Sequence, residues 1–392
     1  MLALTYYPHD ARVTREAETL AAEGFDVHVV CNRKPDREKS TSERMKETPD
    51  RVNLHYLPLS RKRGTKFRYI FEFLAMTLLG IWKLTALHMK HRFHVIHIHN
   101  MPDLLVLAGL IPKWLGATLI LDIHDPMNEL FQANYHVTDS NPFIRLIRLQ
   151  EWLCYRLPDH LITVSHPMAE NVARKSGRPP KAIKVVHNCS DLGKFPLRVE
   201  SQEWPRNKDV FLLLYTGTVT EHYALHIAIR AIALAAQRIK NIHFRILGAG
   251  NRLDHVLSLA DELGIRNHVE YVGQVPIEDV KRFMAQADVG ISTHNGGAFG
   301  DLYFSNKIVD FMTQGVPVLC SRTHTIHRYI PDEAIFYSEP GDAQEFADRI
   351  VEMHDNPILV QDKIENARNL ATKYNWETEK HTFLHFYNGL TE

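Results

Sequence analysis

Short apolar runs alternate with amphipathic stretches along nearly the whole chain. The runs at 1–6, 27–31, 52–57, 95–99, 118–123, 160–164 and 183–186 read as buried strands. Between them, apolar positions at helical spacing predict helices at 12–22, 66–90, 102–114, 143–156 and 167–174. At 191–209 the rhythm breaks into a polar, proline-bearing stretch that reads as a linker. It then restarts, with strands at 210–215, 242–247, 269–272, 289–292, 316–320 and 335–337. Helices are expected at 222–239, 252–263, 277–286, 306–313, 343–354 and 358–374, and a last one at 376–388. Strictly alternating strands and helices imply parallel strands joined by crossover helices. The expectation is an α/β protein of two doubly wound, Rossmann-like domains facing a cleft. They are assigned to residues 1–190 and 210–373, and the closing segment 374–392 is expected to return to the first domain. Open sheets of this kind bind ligands beyond the carboxyl ends of their strands, so the loops there are the places to look for chemistry.

Composition narrows the class. A chain of 392 residues exceeds one small core, and its 45% hydrophobic and 23% charged content suits a soluble globular protein. Formal net charge is +0, which gives no reason to expect nucleic acid as a partner. The four cysteines, Cys31, Cys154, Cys189 and Cys320, form no C-x-x-C pair and suggest a reducing, cytoplasmic setting. Met1 opens almost at once into a strand-like run, with neither a basic leader nor a long apolar core. Among the 24 histidines, His88, His91, His94, His97 and His99 cluster, but only His97 and His99 share a strand face. No metal site is therefore expected.

The most informative stretch runs Ser305-Asn306-Lys307-Ile308-Val309-Asp310-Phe311, then on to Gly315-Val316-Pro317-Val318. Lys307 and Asp310 fall on one face of a helix's first turn. A cation and free amides at a helix N-terminus suit a phosphate, and a carboxylate suits sugar hydroxyls. The same spacing also suits an ordinary helix–strand joint with a solvated ion pair. Two glycine turns accompany it, Thr216-Gly217-Thr218 and Leu247-Gly248-Ala249-Gly250, where amides can approach phosphate.

These residues resemble the donor helix and nucleotide-sugar cradle of the family-4 retaining glycosyltransferases, which have the GT-B fold. The likeness covers nearly the whole chain. Asp10-Ala11-Arg12-Val13-Thr14-Arg15-Glu16, preceded by His9, resembles the family's first loop and helix. Asp122-Ile123-His124-Asp125, with Glu129 beyond, resembles its Y-D-x-H-E-x-x-x-E segment, and His97-Ile98-His99-Asn100 its H-x-H-D/N strand end. The resemblance implies transfer of a sugar from a nucleotide diphosphate sugar to an acceptor hydroxyl with retention, and no cofactor. It places Lys307 on the donor diphosphate, Asp310 on the ribose and His124 on the transferred sugar, with Asp125 beside it. Gly217, Thr218, Gly248, Gly250, Asp301 and Asn306 are the other donor candidates. His9, Asp10, Arg12, His99 and Asn100 are the acceptor-side candidates. His97 is expected to pack beneath them.

The chain also departs from the family pattern. The family's Arg after the first glycine and its later Lys are absent, and Thr218 and Glu221-His222-Tyr223 stand there instead. Asp310 occupies the second position of the E-x7-E element, and the first is lost, with Asp301 next to it. Two alternatives stay open on that account: a non-catalytic scaffold of the same fold and a nucleotide-sugar epimerase. Arg322 is a second phosphate candidate, and the glycines of 295–301 suggest a flexible loop. The basic segment from Arg61 to Arg68, leading into the aromatic run to Trp82, suits either an anionic membrane surface or a buried crossover helix. A glycan or lipid-linked acceptor of the cell envelope fits the first of these.

Overall fold

A computed structural model describes residues 1–7, 10–33, 51–58, 66–135, 137–198, 204–206 and 209–390, with 66–71 described by backbone alone. The chain divides into two units. The first comprises Met1–Gln132, His136–Val186 and Lys380–Glu392; the second comprises Ala133–Tyr135 and His187–Glu379.

In the first unit, β1 (Val27–Asn32) pairs with β2 (Val52–Leu57), and β3 (Val95–His99), β4 (Thr118–Ile123), β5 (His160–Thr163) and β6 (Ile183–Val185) follow in sequence order; every pair is parallel. The expected strand at 1–6 is reduced to a bridge at Leu2. That residue pairs with both Val30 and Ile98 and so joins the two groups of strands. The amide of Leu2 donates to His97 and its carbonyl accepts from His99. The chain bends away at Leu4–Thr5, which ends the strand early.

The helix Ala11–Ala22 starts where Asp10 accepts from the amides of Arg12 and Val13. The long helix extends over Lys66–His91. The stretch expected as one helix at 102–114 is a 3₁₀ segment, Asp103–Gly109, followed by a short helix, Leu110–Trp114. Pro112 has no amide to donate to the preceding turn, which disfavours one continuous α-helix. The helix Met127–Tyr135 was not anticipated, because at nine residues it is too short to show a clear periodicity. The residues of the final helix, Trp376–Asn388, from Lys380 on belong to the first unit.

In the second unit, β7 (Phe211–Thr216), β8 (Ile242–Leu247), β9 (Val269–Gly273), β10 (Val289–Ser292), β11 (Val318–Ser321) and β12 (Phe336–Ser338) form one parallel sheet in the order β12-β11-β10-β7-β8-β9. Chain order reverses between β7 and β10, which puts the sheet's switch point there. Both faces are covered. Phe211, Leu213 and Tyr215 enter one core, and Leu214 enters the other. Burial on both sides explains why β7 reads as an unbroken apolar run. The helix expected at 222–239 is a 3₁₀ turn, Glu221–Tyr223, followed by Leu225–Ala235. Much of the stretch read as linker also packs into this unit. Phe195 and Trp204 are buried, and Trp204 donates to the carbonyl of Asp288.

Candidate active site

The first unit's site forms where β3, β4 and the helix Ala11–Ala22 converge. Asp122 is the last-but-one residue of β4 and has no solvent exposure. Burial alone would raise its pKa, but the Arg12 guanidinium and the His124 ring hold it well below the usual carboxylate range. Arg12 reaches both Asp122 oxygens at 2.9 Å and Glu16 Oε1 at 3.0 Å. His124 sits just past the strand, partly exposed. Its Nε2 lies 3.1 Å from Asp122 Oδ2 and 3.3 Å from His99 Nδ1. An Nε2–H donated to Asp122 fixes the ring's tautomer and leaves Nδ1 for another partner. Asn100 clamps the turn below. Its Oδ1 accepts from the amide of His124 at 2.8 Å, and its Nδ2 donates to the carbonyl of Asp125 at 2.8 Å and to Asp103. Burial raises the Asp125 carboxyl.

Three expectations change here. Arg12 is not open to a ligand, because its guanidinium is buried and paired with Asp122 and Glu16. His99 does not line an open surface; at 1% exposure it stacks on His97, 4.2 Å between ring centres. Asn100 is buried as well and acts on the backbone of the turn. Asp10 remains at the surface as a helix cap, and His9 lies outside the described residues. Sequence reading missed Glu16 and Asp122 as partners. The signals were present: Arg12 and Glu16 are four apart on a helix, and Asp122 and His124 two apart at a strand end.

The second unit's site is built around Lys307, near the start of the helix Asn306–Thr313. Its ammonium lies 4.0 Å from the centre of the Tyr223 ring and 4.5 Å from that of Tyr215, and it donates to Tyr215 Oη at 3.3 Å. Among the described residues it forms no ion pair, so the solvated pair with Asp310 does not occur. Burial lowers its pKa to about 7. The two neighbouring histidines are held neutral: burial, and then Lys307 itself, push His222 down to about 4 and His294 well below its ordinary value. The result is a cation enclosed by aromatic rings, with no anion among the described residues to balance it. Rings attract the charge only modestly and do not neutralise it.

The glycine turns sit against this cation. A Cβ on Gly217 would come within 3.4 Å of Lys307 Nζ, and Gly217 adopts φ +124°, which favours glycine. Gly248 and Gly250 do something other than expected. A Cβ on Gly248 would fall 1.8 Å from the carbonyl oxygen of Gly217, and one on Gly250 1.9 Å from that of Val219. These glycines let the two loops pack backbone against backbone. The amides of Gly217 and Gly248 are also occupied, donating to Leu247 and Gly273.

The Asp301 carboxylate accepts from the amide of His324 at 3.0 Å, at the start of a short helix, His324–Tyr329, that was not foreseen. Arg322 pairs with Asp332 and stacks on Tyr337. The loop at 295–301 is tied down, with Asn295 bonded to the carbonyls of Glu221 and His222. Asn306 donates to Asn188 at 2.9 Å, and Asp310 lies one turn beyond Lys307, half-buried. Thr218 is exposed beside Gly217.

Residues 10–189 match the glycosyl transferase 4-like domain, and residues 198–370 match the glycosyl transferases group 1. The chain is 25% identical over 194 residues to the lipopolysaccharide core biosynthesis glycosyltransferase LpsE of Rhizobium meliloti, a match over 49% of this chain and 53% of that protein. It thus spans about half the length of that relative. It is 23% identical over 298 residues to the uncharacterized glycosyltransferase MJ1607 of Methanocaldococcus jannaschii, a match over 73% of each. In fold it is similar to Anabaena HepE in complex with UDP-glucose, with a TM-score of 0.73 and 16% identity, covering 99% of this chain and 98% of that one. With both of its domains matched in order, the chain belongs to the family-4 glycosyltransferases and has the GT-B fold, two Rossmann-like α/β domains.

Proposed function

We propose that this glycosyltransferase takes its sugar from a nucleotide diphosphate sugar and transfers it to an acceptor hydroxyl with retention of anomeric configuration. The observation that carries this reading is the Lys307 ammonium, enclosed by Tyr215 and Tyr223 without a carboxylate. A buried cation lacking its counter-ion is costly, and a diphosphate would supply the missing charge. As the sugar leaves, negative charge grows on the diphosphate, and a cation already in place stabilises it without rearranging. Asp310 is assigned to the ribose hydroxyls and His124 to the transferred sugar, with Asp122 orienting the His124 ring. The similarity to HepE, whose structure holds UDP-glucose, supports a nucleotide sugar as donor. The similarity to a lipopolysaccharide core enzyme supports a glycan or lipid-linked acceptor. The family resemblance assigns the reaction no cofactor.

The lowered pKa of Lys307 supplies the test. Diphosphate binds the ammonium form, so affinity for a nucleoside diphosphate should fall as pH rises past about 7. If the competent fraction sets the apparent affinity, the loss by pH 8 is about tenfold at most. Calorimetric titration of UDP, GDP, ADP and TDP between pH 7 and 9, in buffers of differing ionisation enthalpy, should show this decline with uptake of up to one proton. Affinity independent of pH, with no proton taken up, would remove Lys307 from the phosphate.

A peripheral place on the cytoplasmic face of a membrane is part of the same proposal. No described helix is long and apolar enough to cross a membrane. The basic residues Arg61, Lys62 and Arg63 lie outside the described part. The helix that follows exposes Leu74, Leu78 and Trp82 at 49%, 66% and 65%. Apolar side chains next to a basic segment suit an anionic lipid surface. The double variant Leu78→Glu/Trp82→Glu should sediment several-fold less with vesicles containing phosphatidylglycerol. Equal sedimentation would assign that face elsewhere.

A further inference from the structure

We infer that the first unit holds a divalent cation of the zinc class, bound by Glu16, His97, His99 and Asp122. Each of these side chains has a ligand atom within 4.8 Å of the others, and all four are buried. Glu16 Oε2, His97 Nε2 and His99 Nε2 are buried without a hydrogen-bond partner. Their residues are 0%, 1% and 1% exposed. Unpaired buried polar atoms are costly, and three converging on one point call for an occupant.

The spacing suits a metal. His97 Nε2 is 3.6 Å from Asp122 Oδ2, and His99 Nε2 is 3.9 Å from Glu16 Oε2. Bonds of about 2.0–2.2 Å in a tetrahedron put ligand atoms about 3.3–3.6 Å apart, so a small inward shift completes the set. The outer contact of His97 also fits. His97 Nδ1 lies 2.5 Å from Tyr387 Oη, on the final helix. A ligating histidine typically donates its other ring N–H to such a group, which fixes the ring for the metal.

The charges leave room for a cation. Arg12 offsets one of the two carboxylates and bonds to Glu16 Oε1, which leaves Oε2 free. One negative charge remains with the imidazoles neutral. Arg12 Nη1 is buried and unpartnered too. It is a donor, so water alone is the competing occupant. The metal would pin the helix Ala11–Ala22 to the ends of β3 and β4, under His124. This is a structural role, separate from the transfer reaction.

The test uses the full chain, stripped by chelator, reloaded with zinc or cobalt(II), and passed through gel filtration. One equivalent of retained metal is expected, and X-ray absorption should show nitrogen and oxygen ligands with no sulfur. Tyr387→Phe should weaken zinc binding by about 10–100-fold. His28→Gln, in the separate pair with His55, should leave it unchanged. No retained metal would mean that water fills the site. Binding that is lost with His28→Gln, or that shows sulfur ligands, would place the metal elsewhere; either result overturns the inference.

Discussion

Replacing Lys307 with methionine is expected to lower turnover by about 10²–10³-fold while leaving the melting temperature unchanged or higher. The first part follows from charge. Deleting one preorganised group that stabilises a leaving anion costs about that factor. The second follows from burial. Between the Tyr215 and Tyr223 rings, wild-type Lys307 keeps a charge out of water with no anion beside it. Methionine fills a similar volume, packs well on aromatic rings and carries no charge. The folded pKa of about 7 lies below the ordinary lysine value, so the unfolded chain binds more protons between them. The cost of burying the lysine is therefore fully present below pH 7 and fades as pH rises towards the unfolded value. Melting curves should show the variant's advantage at pH 6 and its disappearance by about pH 10. A variant that melts well below wild type at pH 6 would mean that Lys307 is structural. Unchanged turnover would take it out of the reaction.

Asp122→Asn should be among the most destabilising single substitutions in the first unit. It removes the acceptor shared by Arg12 and His124 and leaves Arg12 buried with Glu16 alone. Breaking a buried pair from one side costs about 3–5 kcal/mol. For a unit of this size, that is a drop of roughly 10 °C in melting temperature. Because the Asp122 pKa is depressed in the folded state, its contribution is present above the unfolded value, near 4, and is lost only as pH falls further. The gap between variant and wild type should thus persist from pH 8 down to about pH 5. Turnover should fall as well, since the His124 ring loses its orienting partner. A variant that melts within a degree or two of wild type would show that Arg12 finds compensation elsewhere.

Much of the fold was legible because parallel strands buried on both faces are written as apolar runs, as in Phe211 to Tyr215. The misjudged elements are those without a strong local signal. Met127–Tyr135 is only nine residues long, and His324–Tyr329 starts on a carboxylate, Asp301, from a distant loop. At the site, the spacing of Lys307 and Asp310 was readable, but the cage was not. Tyr215 and Lys307 are 92 positions apart, and only the sheet brings them together. Arg12 and His99 were singled out as acceptor-side groups from their place in motifs that resemble the family's. A motif does not reveal that Asp122 and Glu16 lie beside them, and that partnership is what makes burying the guanidinium tolerable. The glycines of the second turn were recognised as special for the right conformational reason, but the backbone they admit is that of the neighbouring loop.

The most direct test of the central claim is a thermal-shift comparison of wild type and Lys307→Met against UDP, GDP, ADP, TDP and their common sugar conjugates at pH 7. At about a hundred times its dissociation constant, a ligand that binds only the folded state adds about 2.7 kcal/mol. Wild type should shift by several degrees with one nucleotide and its sugar, and the variant should lose most of that shift. No shift with any nucleotide, or a shift of equal size in the variant, would contradict a donor site built on Lys307.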